Sequence, residues 1–427
     1  MEVKMALTPE QQAMLEGARG ETLAKVMKTL VLYGETFGAT KMVPVTSQYG
    51  HLVTSFGLGV MKPLYGLMDE LIEAGAVSGQ KFSMDPRPLD KNVPSNPLQD
   101  LVFKFMYSAQ ARYEAQLQKL GLLAPDAFTC TCYLPQIGNV PEQGQVLSWA
   151  ESSAVVYANS VLGARCNRNS GIIELFGSIA GCVPYFGLLT DEGRRATWIV
   201  EVNTTKKPEA QVLGSAIGMK VMEDVPYIKG LTKFLGNELT EEACAYLKDM
   251  GAATASNGAV GLYHIEGLTP EALAQGEGII APGARTYVID DAELKRVMDG
   301  YPLVWKDKGA KPKLAFIGCP HLSLAQLTGW TERLEGALKA AGREKVAVPT
   351  VLTSAPAVQA EFRKTEHFAR LQKTGAVLSY ICPLMYMNNP LCGKQPVITN
   401  SNKLRTYTTA KYMTDDMILE AIVKGGE

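Results

Sequence analysis

The chain has 427 residues, of which 46% are hydrophobic and 20% charged, and its formal net charge is −1. That length holds about two or three domains with large buried cores, and so even a charge balance offers a polyanion such as nucleic acid little attraction. The opening segment carries Glu10, Glu16 and Glu21 in place of a basic-then-apolar leader, and no apolar run is long enough to span a bilayer, so a cytoplasmic protein with no nucleic-acid or membrane partner is expected.

Thr8-Pro9-Glu10-Gln11 supplies an N-cap, a proline in the first turn and a capping-box partner. It predicts a helix running to about Tyr33. An apolar strand over Lys41–Thr46 ends in the turn-like Ser47-Gln48-Tyr49-Gly50-His51. Leu64, Leu67, Met68, Leu71 and Ile72 recur at helical spacing up to Gly75, and another helix is predicted over Leu98–Leu120. The proline-rich stretch between Pro86 and Pro97 reads as a connector. Phe128 to Pro135 reads as extended, which puts Cys130 and Cys132 on one face.

The segment 143–193 interleaves polar groups with small apolar residues, including Ser152, Ser153, Asn159, Ser160, Arg165, Asn167 and Arg168. Each polar group that is buried needs a partner, so this density suits a pocket for a polar ligand better than a packed core. The C-terminal third alternates strands and helices: Lys313–Gly318, Val346–Leu352, Ala376–Ile381 and Val397–Thr399, with helices between them. That alternation predicts a parallel α/β sheet, whose ligands bind beyond the carboxyl ends of its strands. Cys319, Ser354, Cys382 and Ser401 stand at those ends. We divide the chain into residues 1–275, holding the polar block 143–193, and residues 276–427, carrying the Cys-Pro strand ends.

Eight cysteines in a chain of this length do not form a disulfide scaffold. No pair has the CxxC spacing of zinc ribbons or ferredoxin clusters, so a metal site must assemble from distant segments. Cys319 and Cys382 are each followed by proline, which stiffens the chain just after the sulfur. His51 follows a strand and His321 lies two residues from Cys319. There is no Ser–His–Asp pattern, no Walker sequence and no complete dinucleotide fingerprint, which sets hydrolase, ATP and nicotinamide chemistry aside.

Cys130-Thr131-Cys132-Tyr133-Leu134, the block Trp149-Ala150-Glu151-Ser152-Ser153-Ala154-Val155, and Ala158-Asn159-Ser160-Val161-Leu162-Gly163-Ala164-Arg165 with Asn167-Arg168 resemble the aconitase X family. Gly318-Cys319-Pro320-His321, Cys382-Pro383 and Asn400-Ser401-Asn402-Lys403 are similar to its later motifs, in the same order, so the resemblance spans nearly the whole chain. Cys132 and Cys166 stand where that pattern has proline and threonine, and the turn from Ser47 to His51 is looser than its usual Ser-Ala-His.

The resemblance implies an aconitase-like α/β body of several subdomains, with mainly parallel sheets around a central cluster site. It implies a hydro-lyase acting on a small hydroxy acid, either cis-3-hydroxy-L-proline, which we prefer, or mevalonate 5-phosphate. A non-catalytic cluster-binding regulator is the alternative of another class. The implied cofactor is an iron–sulfur cluster, from [2Fe-2S] to [4Fe-4S], held by Cys130, Cys319 and Cys382. Arg165 and Arg168 suit a substrate carboxylate, since a guanidinium binds it through two parallel hydrogen bonds. Ser47, Ser152, Ser153, Asn159, Ser160 and Asn167 complete the expected substrate site. His51, Glu151, His321, Ser401 and Lys403 are the expected catalytic set, with Glu151 either a proton carrier or the partner that fixes Arg165. The expected partner is a small swivelling-domain subunit supplying a catalytic serine, because the short remainder after Lys403 is too small to form that domain.

Overall fold

A computed structural model describes residues 3–425. Two five- and four-stranded parallel sheets and a helical N-terminal unit build it. The capping box at Thr8 forms as expected, but the first helix stops at Leu15 and a second runs from Glu21 to Thr36. Gly17 and Gly20 separate them in left-handed backbone, with φ of 91° and 96°, a conformation that glycine alone adopts freely. The second helix continues through Gly34 because a Cβ there would meet Pro184 Cβ at 2.6 Å, so the glycine serves close packing and not termination. The single helix expected over Leu98–Leu120 is also two, Pro97–Met106 and Gln110–Leu120. The loop at Gly57–Gly59 takes their joining backbone groups: Gly59 N donates to Met106 O at 2.8 Å and Ala109 N donates to Gly57 O at 3.2 Å.

The N-terminal unit has only short strand pairs, and one of them positions the site. Gly50–Leu52 lies parallel to Phe82–Met84, with His51 opposite Ser83. Two further segments run alongside. Ala150 N donates to His51 O at 2.7 Å, and Thr129 N donates to Met84 O at 2.6 Å. Residues 51, 85, 130 and 151 are thereby drawn to one end of the unit.

The second sheet orders its strands His264–Ile265, Pro226–Lys229, Ala196–Val202, Ile280–Ile289, all parallel. The boundary set at residue 275 therefore cuts this sheet, because Ile280–Ile289 pairs with Ala196–Val202. A strand held on its neighbour by backbone hydrogen bonds belongs to that neighbour's unit, a pairing that chain order does not reveal.

The third sheet is the one the sequence alternation predicts. Its order is Val377–Ser379, Thr350–Ser354, Leu314–Leu322, Val397–Thr399, Lys411–Tyr412, again all parallel. Leu314–Leu322 is buried along its whole length, as a central strand covered on both faces must be. It runs past Gly318, so Cys319 sits within its irregular last turn, where the register against Thr350–Ser354 shifts. Gly318 has φ 99°, and a Cβ there would meet Thr353 O at 2.8 Å. Cys130 and Cys132 lie in a bend and a turn, not in the extended segment expected.

Candidate active site

The third sheet's strand ends face the end of the N-terminal unit, and buried charged groups meet between them. Lys403, in the helix Asn402–Tyr407, forms an ion pair with Glu151 in which the side chains are 8% and 4% exposed. Glu151 occupies the N-cap of the helix Ser152–Ser160. Its carboxylate accepts from Ala154 N at 2.7 Å and from Ser153 Oγ at 2.6 Å, while Lys403 Nζ also donates to Ser153 Oγ at 3.2 Å. The backbone at Glu151 has φ 117°, unusual for a side-chain-bearing residue and costing about 1–3 kcal/mol. The cap hydrogen bonds and the ion pair hold it there. Burial pushes the Glu151 carboxyl up, but the ammonium beside it outweighs burial and holds it below the usual carboxylate range. Burial alone would lower Lys403; Glu151, then Cys319 and Cys130, raise it instead.

His51 is fully buried, with Nδ1 2.9 Å from Ser83 Oγ and with no partner at Nε2. Burial lowers its pKa to about 4, so the ring is neutral at pH 7. Asp85, just past the strand Phe82–Met84, leaves its buried Oδ1 unpartnered as well. Burial, then the charge of Glu151, push its carboxyl well above the usual range, and Lys403 only partly offsets them. One ligand atom each from His51, Asp85 and Glu151 lie within 4.8 Å of one another. Asp85 was missed in the sequence because it opens a run that reads as a proline connector.

Cys130, Cys319 and Cys382 are all buried and come from three separate segments. They are near enough that a charge on Cys319 acts on both Cys130 and Cys382. His321 N–H donates to Cys130 Sγ at 3.4 Å, the kind of backbone contact that steadies a ligand sulfur. Burial raises all three thiols, and Lys403 opposes that rise at each. Three buried thiols converging beside a cation fit an iron–sulfur cluster, which binds them as thiolates. Cys132 and Cys166 belong to the hydrophobic core. Cys166 Sγ donates to the carbonyls of Trp149 at 3.4 Å and Asn167 at 3.3 Å.

Other expected residues have structural partners. Arg165 reaches Leu189 O and pairs with Asp191, whose side chain is 86% exposed, so it meets neither Glu151 nor the cysteines. The role of fixing Glu151 belongs to Lys403, since the third unit brings an ammonium closer than any guanidinium. Arg168 is nearer: its Nη2 donates to Ala255 O at 3.3 Å, its Nε is buried without a partner, and the charge of Glu151 acts on it. Asn159 bonds Cys166 and Gly261, Ser160 accepts from Tyr263 N, and Asn167 bonds Phe186 O and Leu188 N. Ser47 bonds Tyr49 O and Gln80, and Ser152 begins the helix that Glu151 caps. The His321 ring is committed on both nitrogens, Nδ1 to Thr129 Oγ1 at 3.1 Å and Nε2 to Ile381 O at 3.2 Å. Ser401 Oγ donates to Cys319 O and accepts from Leu404 N. His321 and Ser401 thus brace the cysteine segments. A cavity of about 420 Å³ opens at Cys319, with Glu209, Glu242, Asp249, Asp415 and Lys207 as its charged lining. Burial and the neighbouring Asp415 and Asp416 push Glu209 up to about 7. Among the described residues no helix is long and apolar enough to cross a membrane.

Family models for the aconitase X first, second and third domains match residues 4–192, 196–299 and 312–421. The phosphomevalonate dehydratase large subunit of Thermococcus kodakarensis is 31% identical over 94% of this chain and 95% of its own length. The cis-3-hydroxy-L-proline dehydratase of Hypocrea jecorina is 25% identical over 96% of this chain but only 65% of its own length. A crystal structure of Thermococcus kodakaraensis aconitase X in its holo-form superposes with a TM-score of 0.80 at 28% identity, covering 99% of this chain and 100% of that one.

Proposed function

The chain belongs to the aconitase X family, whose named relatives are dehydratases, and from that premise we propose that it is the large subunit of an iron–sulfur hydro-lyase. The observation that carries this reading is the meeting of Cys130, Cys319 and Cys382 with the buried Glu151–Lys403 pair. Cys130, Cys319 and Cys382 would hold an iron–sulfur cluster, which would supply Lewis acidity towards a hydroxyl that is otherwise a poor leaving group.

This chain's own residues supply the surroundings. Lys403 offsets the negative charge of the thiolates and of Glu151. Glu151 in turn fixes Lys403. Arg168, with a free and buried Nε, is the guanidinium we assign to the substrate carboxylate. His51, held neutral and anchored at Nδ1, offers Nε2 to a substrate hydroxyl or to water. The relatives named as large subunits imply a small partner subunit. We assign to that partner the base that removes the proton beside the carboxylate, since Ser401 is already engaged.

We take the substrate to be a hydroxy amino acid of the cis-3-hydroxy-L-proline type. The cavity at Cys319 presents four carboxylic side chains and one lysine, itself paired with Glu242. None of His51, Asp85 or Arg168 lines that cavity, so its charge bears on the part of a substrate that reaches past Cys319, where it repels a phosphate and tolerates an ammonium. Mevalonate 5-phosphate is the second reading, favoured by the near full-length match to the phosphomevalonate dehydratase subunit. Assaying the chain, reconstituted with iron and sulfide and combined with its small partner, against both acids tests the proposal. Loss of water from neither acid would overturn it.

A further inference from the structure

The proton that a departing hydroxyl must acquire has no evident donor among the residues expected from the sequence. His51 is neutral, Glu151 is an ion-paired carboxylate, Lys403 is held to it as an ammonium whose proton the pairing binds more tightly, both His321 nitrogens are occupied, and Ser401 donates to Cys319 O. We propose that Asp85 is a further catalytic residue, the acid that gives its proton to the leaving hydroxyl of the substrate. This inference rests on the hydro-lyase reading above.

Geometry carries it. Asp85 Oδ1 and His51 Nε2 are both buried without a partner, and one ligand atom each of His51, Asp85 and Glu151 lie within 4.8 Å of one another. A buried polar atom left without a hydrogen bond costs about 1–3 kcal/mol, so two of them on adjoining side chains mark a place prepared for a polar guest. A hydroxyl or a water between them can both donate and accept. A divalent cation suits the place less well, because Lys403 Nζ is already in contact with the same Glu151 carboxylate.

Charge decides which group holds the proton. Glu151 and Lys403 neutralise one another, so an ionised Asp85 would leave a net negative charge in the interior. Besides that pair, Asp85 interacts electrostatically with Tyr113, with Cys132 and with the three cysteines Cys130, Cys319 and Cys382. Once they are thiolates they disfavour its ionisation further. Asp85 is only partly buried as a residue, which leaves solvent a way to return a proton.

The step balances. A base takes the proton beside the carboxylate, and that C–H electron pair becomes the new C=C bond. The C–O bond breaks with its electrons on oxygen, the O–H bond of Asp85 breaks, and its proton joins that oxygen to make water. Asp85 is left as carboxylate and regains a proton from solvent, to which the base releases the one it took. The sum is hydroxy acid to unsaturated acid plus water.

The experiment uses the assembled, cluster-loaded enzyme with Asp85→Asn and Asp85→Glu. Asp85→Asn should keep its iron content and its KM within a few-fold while kcat falls about 10²–10⁴-fold, the usual share of an acid catalyst. Asp85→Glu should recover part of that loss. A substrate analogue carrying fluoride in place of the hydroxyl needs no proton on its leaving group, so on it Asp85→Asn should approach the wild-type rate. The infrared spectrum of the wild-type chain should contain a protonated-carboxyl band that Asp85→Asn lacks. A kcat for Asp85→Asn within about threefold of wild type, or equal losses on both substrates, would overturn the assignment. If Asp85→Asn loses iron, Asp85→Glu with normal iron takes its place: a larger loss on the hydroxy acid than on the fluoride analogue supports the acid role, and equal losses on both count against it. Wild-type enzyme that dehydrates no hydroxy acid would sink the hydro-lyase reading itself, a separate result.

Discussion

Glu151 and Lys403, 252 residues apart in the chain, form a buried ion pair that joins the N-terminal unit to the third α/β unit. Removing one charge leaves the other uncompensated in the interior, at a cost of about 3–5 kcal/mol. Lys403→Met should therefore lower the stability of the cluster-free chain by that order in urea denaturation. The double variant Glu151→Gln/Lys403→Met should regain much of it, because neither charge is then stranded. Additive losses would show that the two side chains do not depend on one another.

The three cysteines should behave alike. Cys130→Ala, Cys319→Ala and Cys382→Ala each remove one thiol from the proposed cluster site, so iron and sulfide analysis of anaerobically purified protein should show each depleted. Cys166→Ala should keep its iron, since that sulfur bonds carbonyls within the core. His321→Ala should lose iron more readily than wild type under chelator. Its ring braces the segments that carry Cys130 and Cys382, and its N–H contacts Cys130 Sγ.

Arg165 should matter little. Its pair with Asp191 is largely solvated and worth about 0–1 kcal/mol. Arg165→Ala should leave iron content and KM near wild type, whereas Arg168→Ala should raise KM at least tenfold. The reverse ranking in steady-state kinetics would return the substrate carboxylate to Arg165.

The contribution of His51 to stability should fall on acidification, and the difference between wild type and His51→Gln isolates it, because Asp85 and Glu209, held above their ordinary range, contribute in the opposite sense. His51 has a folded pKa of about 4 against an ordinary 6.5, so the unfolded chain binds more protons between those values. Its contribution is full above pH 6.5 and is lost progressively as pH falls towards 4, at up to about 1.4 kcal/mol per unit. Glu151, whose folded pKa is depressed below 4.5, adds a loss that continues below pH 4.5. Urea midpoints of wild type and His51→Gln, measured across this range, should converge at the acid end. Parallel curves would show that His51 is not buried as a neutral ring.

The isolated chain should turn over poorly and recover when its small partner subunit is added. Ser401 Oγ donates to Cys319 O and accepts from Leu404 N, so its oxygen is engaged within the chain and is not offered as a base. Robust turnover by the chain alone would place that base within it.

Much of this was legible in the linear sequence, and the division follows the range of the forces involved. Hydrophobic alternation and Cys-Pro punctuation disclosed the parallel third sheet, with Cys319 inside the last part of its central strand and Cys382 just past the end of another, since strand burial and proline geometry act over a few residues. The block around Glu151 disclosed the family. The sequence did not disclose that Ile280–Ile289 joins the second sheet, that Arg165 turns to the surface, or that Asp85 stands beside His51. Each of these depends on which distant segment packs alongside. Burial then decides the chemistry, for the carboxyl of Asp85 is pushed above its usual range by burial of the side chain and by the nearness of Glu151, which only the folded chain creates.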